Sequence, residues 1–405
     1  MTFDIWKNSP RVPITELLSF IVDNRGKTVP TAPKGHKLIA TNCVTNNTLF
    51  PVYEKIRYLS DETYRTWFRA HPQPGDILFV NKGTPGRVCM VPDPVDFCIA
   101  QDMIALRADE SKIYNKYLFA VLRSNEIQKQ IYNTSVGDVI PHFKKQFMDQ
   151  LQIPVPSLDV QKAIGDLYYQ LSYKTELNKH INDNLEQQIG ALLMAFIDEE
   201  TATPVRLGDF LYIKGRIGWK GLKKNEYLPE SCFRIVNGET LTKAGIDWSK
   251  AGYITEERYL ESPEIMLQVG DILLSKDGTI GKIGYVDNLD LPTSVASGIF
   301  VIRNSQPNKI TTPFIYYLLK SKLFEAFIAA RTEGSVIPHL YQKDFMDFVF
   351  PLPSLERMAD FERLTSPMFF QAVNNLNENK ALAATRDALL PRLMSGEIDV
   401  SSITI

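Results

Sequence analysis

The chain has 405 residues, of which 44% are hydrophobic and 23% charged, a composition that excludes disorder and is typical of a soluble protein with two or three cores. Its apolar runs are far shorter than the roughly 20 residues that cross a bilayer, and no signal-like N-terminus is present, so we expect a cytoplasmic protein. A net charge of −2 leaves any binding of nucleic acid to local clusters of Lys and Arg, because these side chains neutralise phosphates.

One pattern occurs twice along the chain. Gly-Asp-Ile-Leu begins at Gly75 and again at Gly270, and each is followed at the same distance by Gly-Thr-x-Gly. Ile-Pro-His then begins at Ile140 and Ile337, and each is followed by Pro-x-Pro-Ser-Leu. The distance between the two patterns is 65 residues in one copy and 67 in the other. Each copy is therefore a whole domain with a small insertion, not a short solenoid repeat.

The first feature in chain order is a basic segment from Asn24 to Lys37 that contains no acid. Its basic residues are Arg25, Lys27, Lys34 and Lys37, together with His36. Lys and Arg bind phosphates, and Arg, Lys, Asn and Gln read base edges through paired hydrogen bonds. The segment is a candidate DNA contact, and the alternative is a solvated loop whose lysines only keep the protein soluble.

Short strands and one buried helix follow the basic segment. Residues 76–80 and 87–91 read as strands on either side of a turn at Gly83, and residues 117–124 read as a helix. Residues 271–275, 282–286 and 315–321 repeat this order in the second copy, with the turn at Gly278. The pattern predicts an α+β domain in each copy.

Each copy ends in a long helical segment. Residues 159–196 carry apolar side chains at helical spacing without a proline, and a helix of this length spans about 60 Å. Such a helix needs a partner, and residues 355–393 carry a looser stripe that can supply one. Pro367 and Pro391 predict a kink or a restart there. The alternative is two separate amphipathic helices, each packed on its own domain.

The second copy has a basic, glycine-rich segment at residues 213–224, also without an acid. Its basic residues are Lys214, Arg216, Lys220, Lys223 and Lys224. Because basic segments lie at matching positions in both copies, DNA contact and solvated surface are equally favoured. The matched pairs Asn42 with Asn237 and Arg107 with Arg303 are weaker candidates, and the arginines can simply cap a strand.

Catalytic motifs fail on inspection. A phosphate loop at Gly281 requires Gly at 276 and Ser or Thr at 283, but these positions hold Lys276 and Ile283. No methyltransferase tetrapeptide, nuclease triad or metal-ligand spacing is found, and four cysteines without CxxC spacing disfavour a zinc ribbon. The matched His142 and His339 favour a shared structural role over ligand contact.

The repeated motifs, together with the ending Arg386-Asp-Ala-Leu-Leu-Pro-Arg-Leu-Met-Ser-Gly, resemble the specificity subunit of Type I restriction-modification enzymes over essentially the whole chain. The resemblance implies two α+β target recognition domains, at residues 1–157 and 199–354. It also implies two long helices, at residues 158–198 and 355–405, that form an antiparallel coiled coil with internal pseudo-two-fold symmetry. One departure is Met358, which stands where the first copy has the family's usual Gln161.

The resemblance also implies a function. The chain would be a non-catalytic subunit that binds double-stranded DNA, with each copy reading one half of a bipartite target and the helices setting the spacing. It would hold no cofactor and contact no membrane. Two methyltransferase subunits would supply S-adenosylmethionine chemistry at adenine, and restriction subunits would use ATP and Mg²⁺. A Type IIB-like specificity subunit and a protein-binding scaffold remain alternatives, and a self-contained enzyme is the least supported.

Overall fold

The computed structural model describes residues 4–24, 26–137, 139–216, 221–242, 245–332 and 339–399. The chain divides into two units, one of Met1–His180 with Asn375–Ile405 and one of Ile181–Asn374. Each unit therefore contains one copy of the repeat and a part of each long helix.

The first copy is built from short strands and helices. Its strands are β1 (Arg11–Pro13), β2 (Leu18–Val22), β3 (His36–Ile39), β4 (Arg57–Leu59), β5 (Ile77–Val80), β6 (Val88–Met90), β7 (Phe97–Ile99), β8 (Met103–Ala108) and β9 (Gln152–Pro154). Its helices are α1 (Ile5–Asn8), α2 (Asp61–Thr66), α3 (Asn115–Leu122) and α4 (Asn125–Thr134), and the long helix α5 (Leu158–Ile197) follows. The strands predicted at 76–80 and 87–91 and the helix predicted at 117–124 are confirmed as β5, β6 and α3.

Two sheets give this copy its core. Strands β2, β8, β5 and β6 lie in that order in an antiparallel sheet, while β3 pairs with β4 antiparallel and with β7 parallel. Ile77 and Phe79 of β5 pack in the core that contains α3 and α4, whereas Leu78 and Val80 pack in the core beside β3 and β7. Both faces of β5 are buried, which explains its unbroken apolar run.

The second copy repeats this arrangement. Its strands are β10 (Thr203–Arg206), β11 (Leu211–Gly215), β12 (Phe233–Val236), β13 (Leu241–Thr242), β14 (Gly245–Ile246), β15 (Gly252–Ile254), β16 (Ile272–Ser275), β17 (Ile283–Tyr285), β18 (Thr293–Val295), β19 (Ile299–Asn304) and β20 (Val349–Leu352). Its helices are α6 (Glu256–Leu260), α7 (Thr312–Lys320), α8 (Lys322–Thr332) and α9 (Gln342–Met346), and the long helix α10 (Leu355–Met394) follows. The order β11, β19, β16, β17 and the parallel pairing of β12 with β18 match the first copy.

The long helices pair with each other inside each unit. In the first unit, the amide of Asn178 on α5 donates to Glu378 Oε2 and Asn379 Oδ1 on α10, at 2.7 and 2.9 Å, and Arg386 lies over the ring of Tyr168. Residue numbers rise along one helix as they fall along the other, so the pair is antiparallel. The alternative of two separate amphipathic helices is therefore wrong.

The second unit contains an antiparallel pair as well. The side chain of Asn182 donates to the carbonyl of Ala372 at 3.0 Å, and the rings of Phe196 and Phe361 meet with centroids 5.5 Å apart. Arg357 on α10 donates its Nε to both carboxylate oxygens of Glu199, at 2.9 and 3.0 Å. Along this helix pair, the aromatic contact thus lies between a polar contact on one side and an ion pair on the other.

Helix α10 continues through Pro367 and Pro391, so the restart predicted at these prolines is wrong. An internal proline removes one backbone hydrogen bond and costs about 3 kcal/mol. Apolar residues of α10 are buried before and after Pro367, including Phe361 and Phe369. Packing along the whole helix outweighs the local cost.

The two copies start their long helices with different side chains. Gln161 is buried, accepts from the backbone N–H of Tyr114 at 2.9 Å and donates to the carbonyl of Pro156 at 2.8 Å. Met358 is buried in the apolar core of the second unit. Thr311, which corresponds to Tyr114, caps α7 with its own hydroxyl, which accepts from the N–H of Phe314 at 3.3 Å. The second copy thus has an apolar side chain where the first has a buried amide, and its helix α7 is capped by Thr311 itself.

Within the described residues, no helix is both long enough and apolar enough to cross a membrane. The four cysteines are unpaired, with Cys43, Cys89 and Cys98 buried and Cys232 exposed.

Candidate nucleic-acid interface

The aspartate of the repeated Gly-Asp-Ile-Leu pattern is a buried anchor. In the first copy the side chain of Asp76 is 2% exposed and accepts from Nε and Nη2 of Arg107, at 2.8 and 2.9 Å. The backbone N–H of Gln73 also donates to it, at 2.8 Å. Arg107 lies on β8 and Asp76 immediately precedes β5, so this ion pair joins neighbouring strands at one end of the sheet.

The second copy contains the same anchor. The buried carboxylate of Asp271 accepts from Nε and Nη2 of Arg303, at 2.5 and 2.9 Å, and from the backbone N–H of Gln268 at 2.7 Å. Arg303 also donates to the carbonyl of Met266 at 2.6 Å. These hydrogen bonds to Asp271 raise the pKa of Arg303. The arginines that the sequence singled out as weaker DNA candidates therefore hold the sheet together.

The basic segment of the second copy divides into exposed and buried parts. Lys214 is exposed on β11, and Lys223 and Lys224 are exposed beyond it, whereas Lys220 lies outside the described residues. Arg216 has no exposed side-chain surface: its Nε donates to the carbonyl of Val295 at 3.1 Å. Burial lowers the pKa of Arg216 from its ordinary value. The expectation of a wholly solvent-facing loop is wrong for Arg216.

Two acids lie against this segment, although the segment itself has none. Glu226 accepts from the backbone N–H of Lys223 at 2.7 Å and forms an ion pair with Arg258, whose Nε lies 3.0 Å from Glu226 Oε1. Glu261 forms an ion pair with Arg258 and lies 4.0 Å from Nη1 of Arg216. Glu226 lies two residues beyond the segment in the sequence, but only the fold brings Glu261 beside it. Among the described residues of the segment, the exposed Lys214, Lys223 and Lys224 are open to a phosphate.

The first basic segment is also divided. Lys27 and Lys34 are exposed, while Arg25 lies outside the described residues. Lys37, on β3, forms an ion pair with Asp96 and lies 4.5 Å from the centre of the Tyr53 ring. Burial alone would raise the pKa of Asp96, but hydrogen bonds from Lys37 and Tyr53 outweigh it and lower the pKa. Lys37 is therefore partly buried and paired with an acid, whereas Lys27 and Lys34 are exposed to solvent.

A stack of rings beside β3 distinguishes the two copies. Tyr64 lies between His36 and His71, with ring centroids 4.1 and 4.2 Å away, and His36 Nε2 lies 2.8 Å from Asp61 Oδ1. The second copy has Phe233 against Tyr259 at the same place in the fold, with centroids 5.1 Å apart. The position is aromatic in both copies, but of these two ring clusters only the first contains histidines.

Comparison with known proteins gives this repeated architecture a family. The family model described as "Type I restriction modification DNA specificity domain" matches the chain twice, at residues 29–187 and 199–366. The chain belongs to this family.

Relatives and a solved structure agree with this assignment. The chain is 23% identical over 352 residues to the Type I restriction enzyme MjaIX specificity subunit of Methanocaldococcus jannaschii, covering 81% of this chain and 79% of that protein. It is 22% identical over 351 residues to the EcoBI specificity subunit of Escherichia coli, covering 75% and 73%. The crystal structure of the S subunit from M. genitalium has a TM-score of 0.56 at 19% identity, over 95% of this chain and 96% of that one. The resemblance and the fold class are confirmed, and the chain is a DNA specificity subunit.

The matched histidines of this specificity subunit differ in their side-chain contacts. His142 pairs through its backbone with Lys82 and Val136, and His339 pairs in the same way with Asp277. The ring of His339 also contacts the carboxylate of Asp277, which has no counterpart in the first copy because Lys82 stands there. Backbone pairing is thus the feature that the copies share. Among the described residues, no three His, Cys, Asp or Glu side chains cluster as metal ligands do.

Among the described residues of the first unit, the most exposed aromatic side chain is one that the repeated motifs do not contain. Tyr132 on α4 is 80% exposed, beside Lys129 and Asn133, which are exposed on the same helix. The available signal was helical periodicity, because Ile127 and Ile131 occupy the buried face of α4. That periodicity places Lys129, Tyr132 and Asn133 on the opposite face.

Proposed function

We propose that each copy of the repeat binds one half of a bipartite duplex target, and that the chain contributes recognition rather than catalysis to its complex. The observation that carries this proposal is the contrast between a repeated interior and a divergent surface. Sheet order and the buried Asp-Arg anchor are the same in both copies. The exposed residues at matching positions differ, and exposed residues are the ones that can meet base edges.

Basic side chains in both copies supply the phosphate contacts in this proposal. In the first copy these are Lys27 and Lys34, and in the second Lys214, Lys223 and Lys224, all of them exposed. Phosphate contacts position a protein on the duplex without carrying sequence information. Residues that read bases are a separate set, which is expected to differ between the copies because the half-sites differ.

Two methyltransferase subunits and a restriction subunit complete the proposed complex. A chain with two copies of one domain offers two equivalent attachment surfaces, which suits two copies of one partner. The methyltransferase subunits would bring S-adenosylmethionine and act on adenine, and the restriction subunit would bring ATP and Mg²⁺. The role proposed for α5 and α10 is to set the length of the unread spacer between the half-sites.

A domain exchange tests the proposal. Residues 1–157 are replaced by the equivalent domain of another specificity subunit, and the modified sites are mapped by methylation-sensitive sequencing of DNA from cells that express the complex. We expect one half of the motif to change while the other half and the spacer stay. The donor domain must accept Leu390, Leu393 and Met394 of α10, which pack in the core of the first unit.

The reciprocal exchange of residues 199–354 is the control and should change only the other half. If either exchange altered both halves together, the copies would not read independently. If the assembled complex showed no preference among duplexes in a mobility-shift assay, the protein-binding scaffold would replace DNA recognition.

A further inference from the structure

The exposed face of α4 borders a large polar cleft in the first unit. The cleft has a volume of about 990 Å³ and lies between α4, the loop at residues 83–85 and the residues Ser135, Gly137 and Pro141. None of the described residues that line it is acidic. Among the described lining residues the one charged side chain is that of Lys129, which suits a partner that is itself negatively charged.

Hydrogen bonds hold the walls of this cleft in place. The side chain of Gln128 on α4 donates to the carbonyls of Gly86 and Leu122, at 2.8 and 2.7 Å. The backbone N–H of Gly83 donates to the carbonyl of Pro141 at 2.9 Å. Gly86 adopts a φ of 89°, and a Cβ there would approach Gln128 to 2.9 Å, so the loop needs glycine to lie this close to α4.

The side chains of α4 that point away from the domain core are available for binding. Lys129, Tyr132 and Asn133 are exposed, and none of their side chains hydrogen-bonds to another described residue. An Asn amide pairs with the edge of adenine, a Lys ammonium binds guanine or phosphate, and a Tyr ring offers both a flat apolar surface and a hydroxyl. Together they offer donors, acceptors and an apolar surface along a single helix face.

The second copy lacks these groups at matching positions. Ser124 caps α4 through the N–H of Ile127, and Ser321 caps α8 through the N–H of Phe324, which aligns the two helices. In this alignment Lys129, Tyr132 and Asn133 correspond to Ala326, Ala329 and Ala330. The buried face keeps its apolar character, with Ile127 and Ile131 matched by Phe324 and Ile328. The two helices thus share a scaffold and differ in their exposed chemistry.

We propose that the Lys129, Tyr132 and Asn133 face of α4, with the adjoining cleft, contacts the base edges of the half-site that the first copy reads. The assignment rests on the proposed function and names the surface that performs it. Asn133 and Tyr132 contribute discrimination between bases, and Lys129 contributes attraction to the duplex. The alanines of α8 leave the second copy to read its half-site with other groups.

The decisive variant is Lys129→Ala, Tyr132→Ala and Asn133→Ala together in the full chain, assembled with its methyltransferase partners. Because α8 already carries alanine at all three positions, and alanine favours helices, α4 should remain folded. We expect discrimination to relax about ten-fold or more at one or more base pairs of the first half-site. The second half-site and the spacer should not change. Methylation-sensitive sequencing and competition with mismatched duplexes provide the readout.

Two single variants and one control complete the design. Tyr132→Phe removes only a hydroxyl and Asn133→Ser shortens an exposed amide, so both decide the question even if the triple variant does not assemble. Glu126→Ala changes an exposed residue on the same helix that does not line the cleft, and should leave the motif as it was.

The result for the triple variant can be told apart from the result of the domain exchange that tests the proposed function. An unchanged motif and unchanged mismatch discrimination in the triple variant would overturn the assignment of α4, even if the domain exchange had moved one half-site. Relaxation of the half-site that the exchange assigns to residues 199–354 would overturn it too. Failure of the exchange itself would instead refute independent reading by the two copies.

Discussion

Removing the buried carboxylate of the second copy should destabilise its unit while leaving the other unit unchanged. Asp271→Ala deletes the acceptor for two N–H groups of Arg303 and for the N–H of Gln268, at 2.5, 2.9 and 2.7 Å. Breaking a buried ion pair by removing one partner costs about 3 to 5 kcal/mol. Arg303 keeps 24% of its side chain exposed, so water can reach the stranded charge. We therefore expect the free energy of unfolding to fall by about 3 kcal/mol, at the lower end of that range.

Hydrogen exchange is the suitable assay because it reports each unit separately. A destabilisation of about 3 kcal/mol accelerates exchange from globally protected amides by about a hundred-fold or more. The acceleration should appear in β16 and β19 and spare β5 and β8. Asp76→Ala should give the reverse pattern.

An exposed ion pair provides the matched control in the same unit. Arg206 Nη2 lies 3.0 Å from Asp209 Oδ1, with both side chains more than half exposed, at 60% and 53%. Such pairs contribute about 0 to 1 kcal/mol, so Asp209→Ala should accelerate exchange by at most about five-fold. If Asp271→Ala had an effect no larger than this control, the buried pair would not be an anchor.

Three further predictions concern charge, pH and spacing. Changing Lys214, Lys223 and Lys224 to Ala should weaken duplex binding by the complex and lower the slope of log K against log salt by about 0.9 for each phosphate that these lysines neutralise; an unchanged slope would make them solvated surface. Burial lowers the pKa of His71, so as pH falls the histidine of the unfolded chain is protonated before that of the folded chain. The first unit should therefore lose stability below about pH 6.5. Urea unfolding at about pH 7.5 and 5.5 should show this loss, and His71→Phe should reduce it. Four residues inserted near Asn182 lengthen α5 by about 6 Å, so an active complex should prefer a spacer longer by about one or two base pairs, at about 3.4 Å each. Sequencing of the modified sites measures the spacer, and an unaltered spacer would contradict this prediction.

The repeat could be predicted from the sequence because its motifs consist of residues that the fold constrains strongly. Gly75 and Gly83 have φ values of 85° and 87°, which favour glycine, and Asp76 is retained by its ion pair. Spacing between such positions therefore survives in both copies. The strands and long helices follow from the same logic of apolar periodicity.

The candidate site was harder to predict, because charge neutralisation depends on contacts between distant residues. Lys37 reads as a free cation until Asp96, 59 residues away, is found beside it. The sequence likewise suggests that Arg216 is exposed, but its Nε–H donates to the backbone carbonyl of Val295, 79 residues away. A run of basic residues identifies a region of the chain, but only the fold separates open side chains from satisfied ones.

The division between a shared interior and a variable surface explains how such a subunit can change its target without refolding. Exposed substitutions usually alter stability by no more than about 0.5 kcal/mol, whereas a bidentate contact to a base discriminates by about 1 to 3 kcal/mol. Replacement of Tyr132 or Asn133 on α4 thus has a large effect on recognition and a small one on folding. Replacement of Ile131 on the opposite face would reverse that balance, because a buried Ile→Ala change costs about 2 to 5 kcal/mol. Selection on the two faces is therefore separable, and Ala326, Ala329 and Ala330 of α8 show that this scaffold tolerates alanine at the three matching exposed positions.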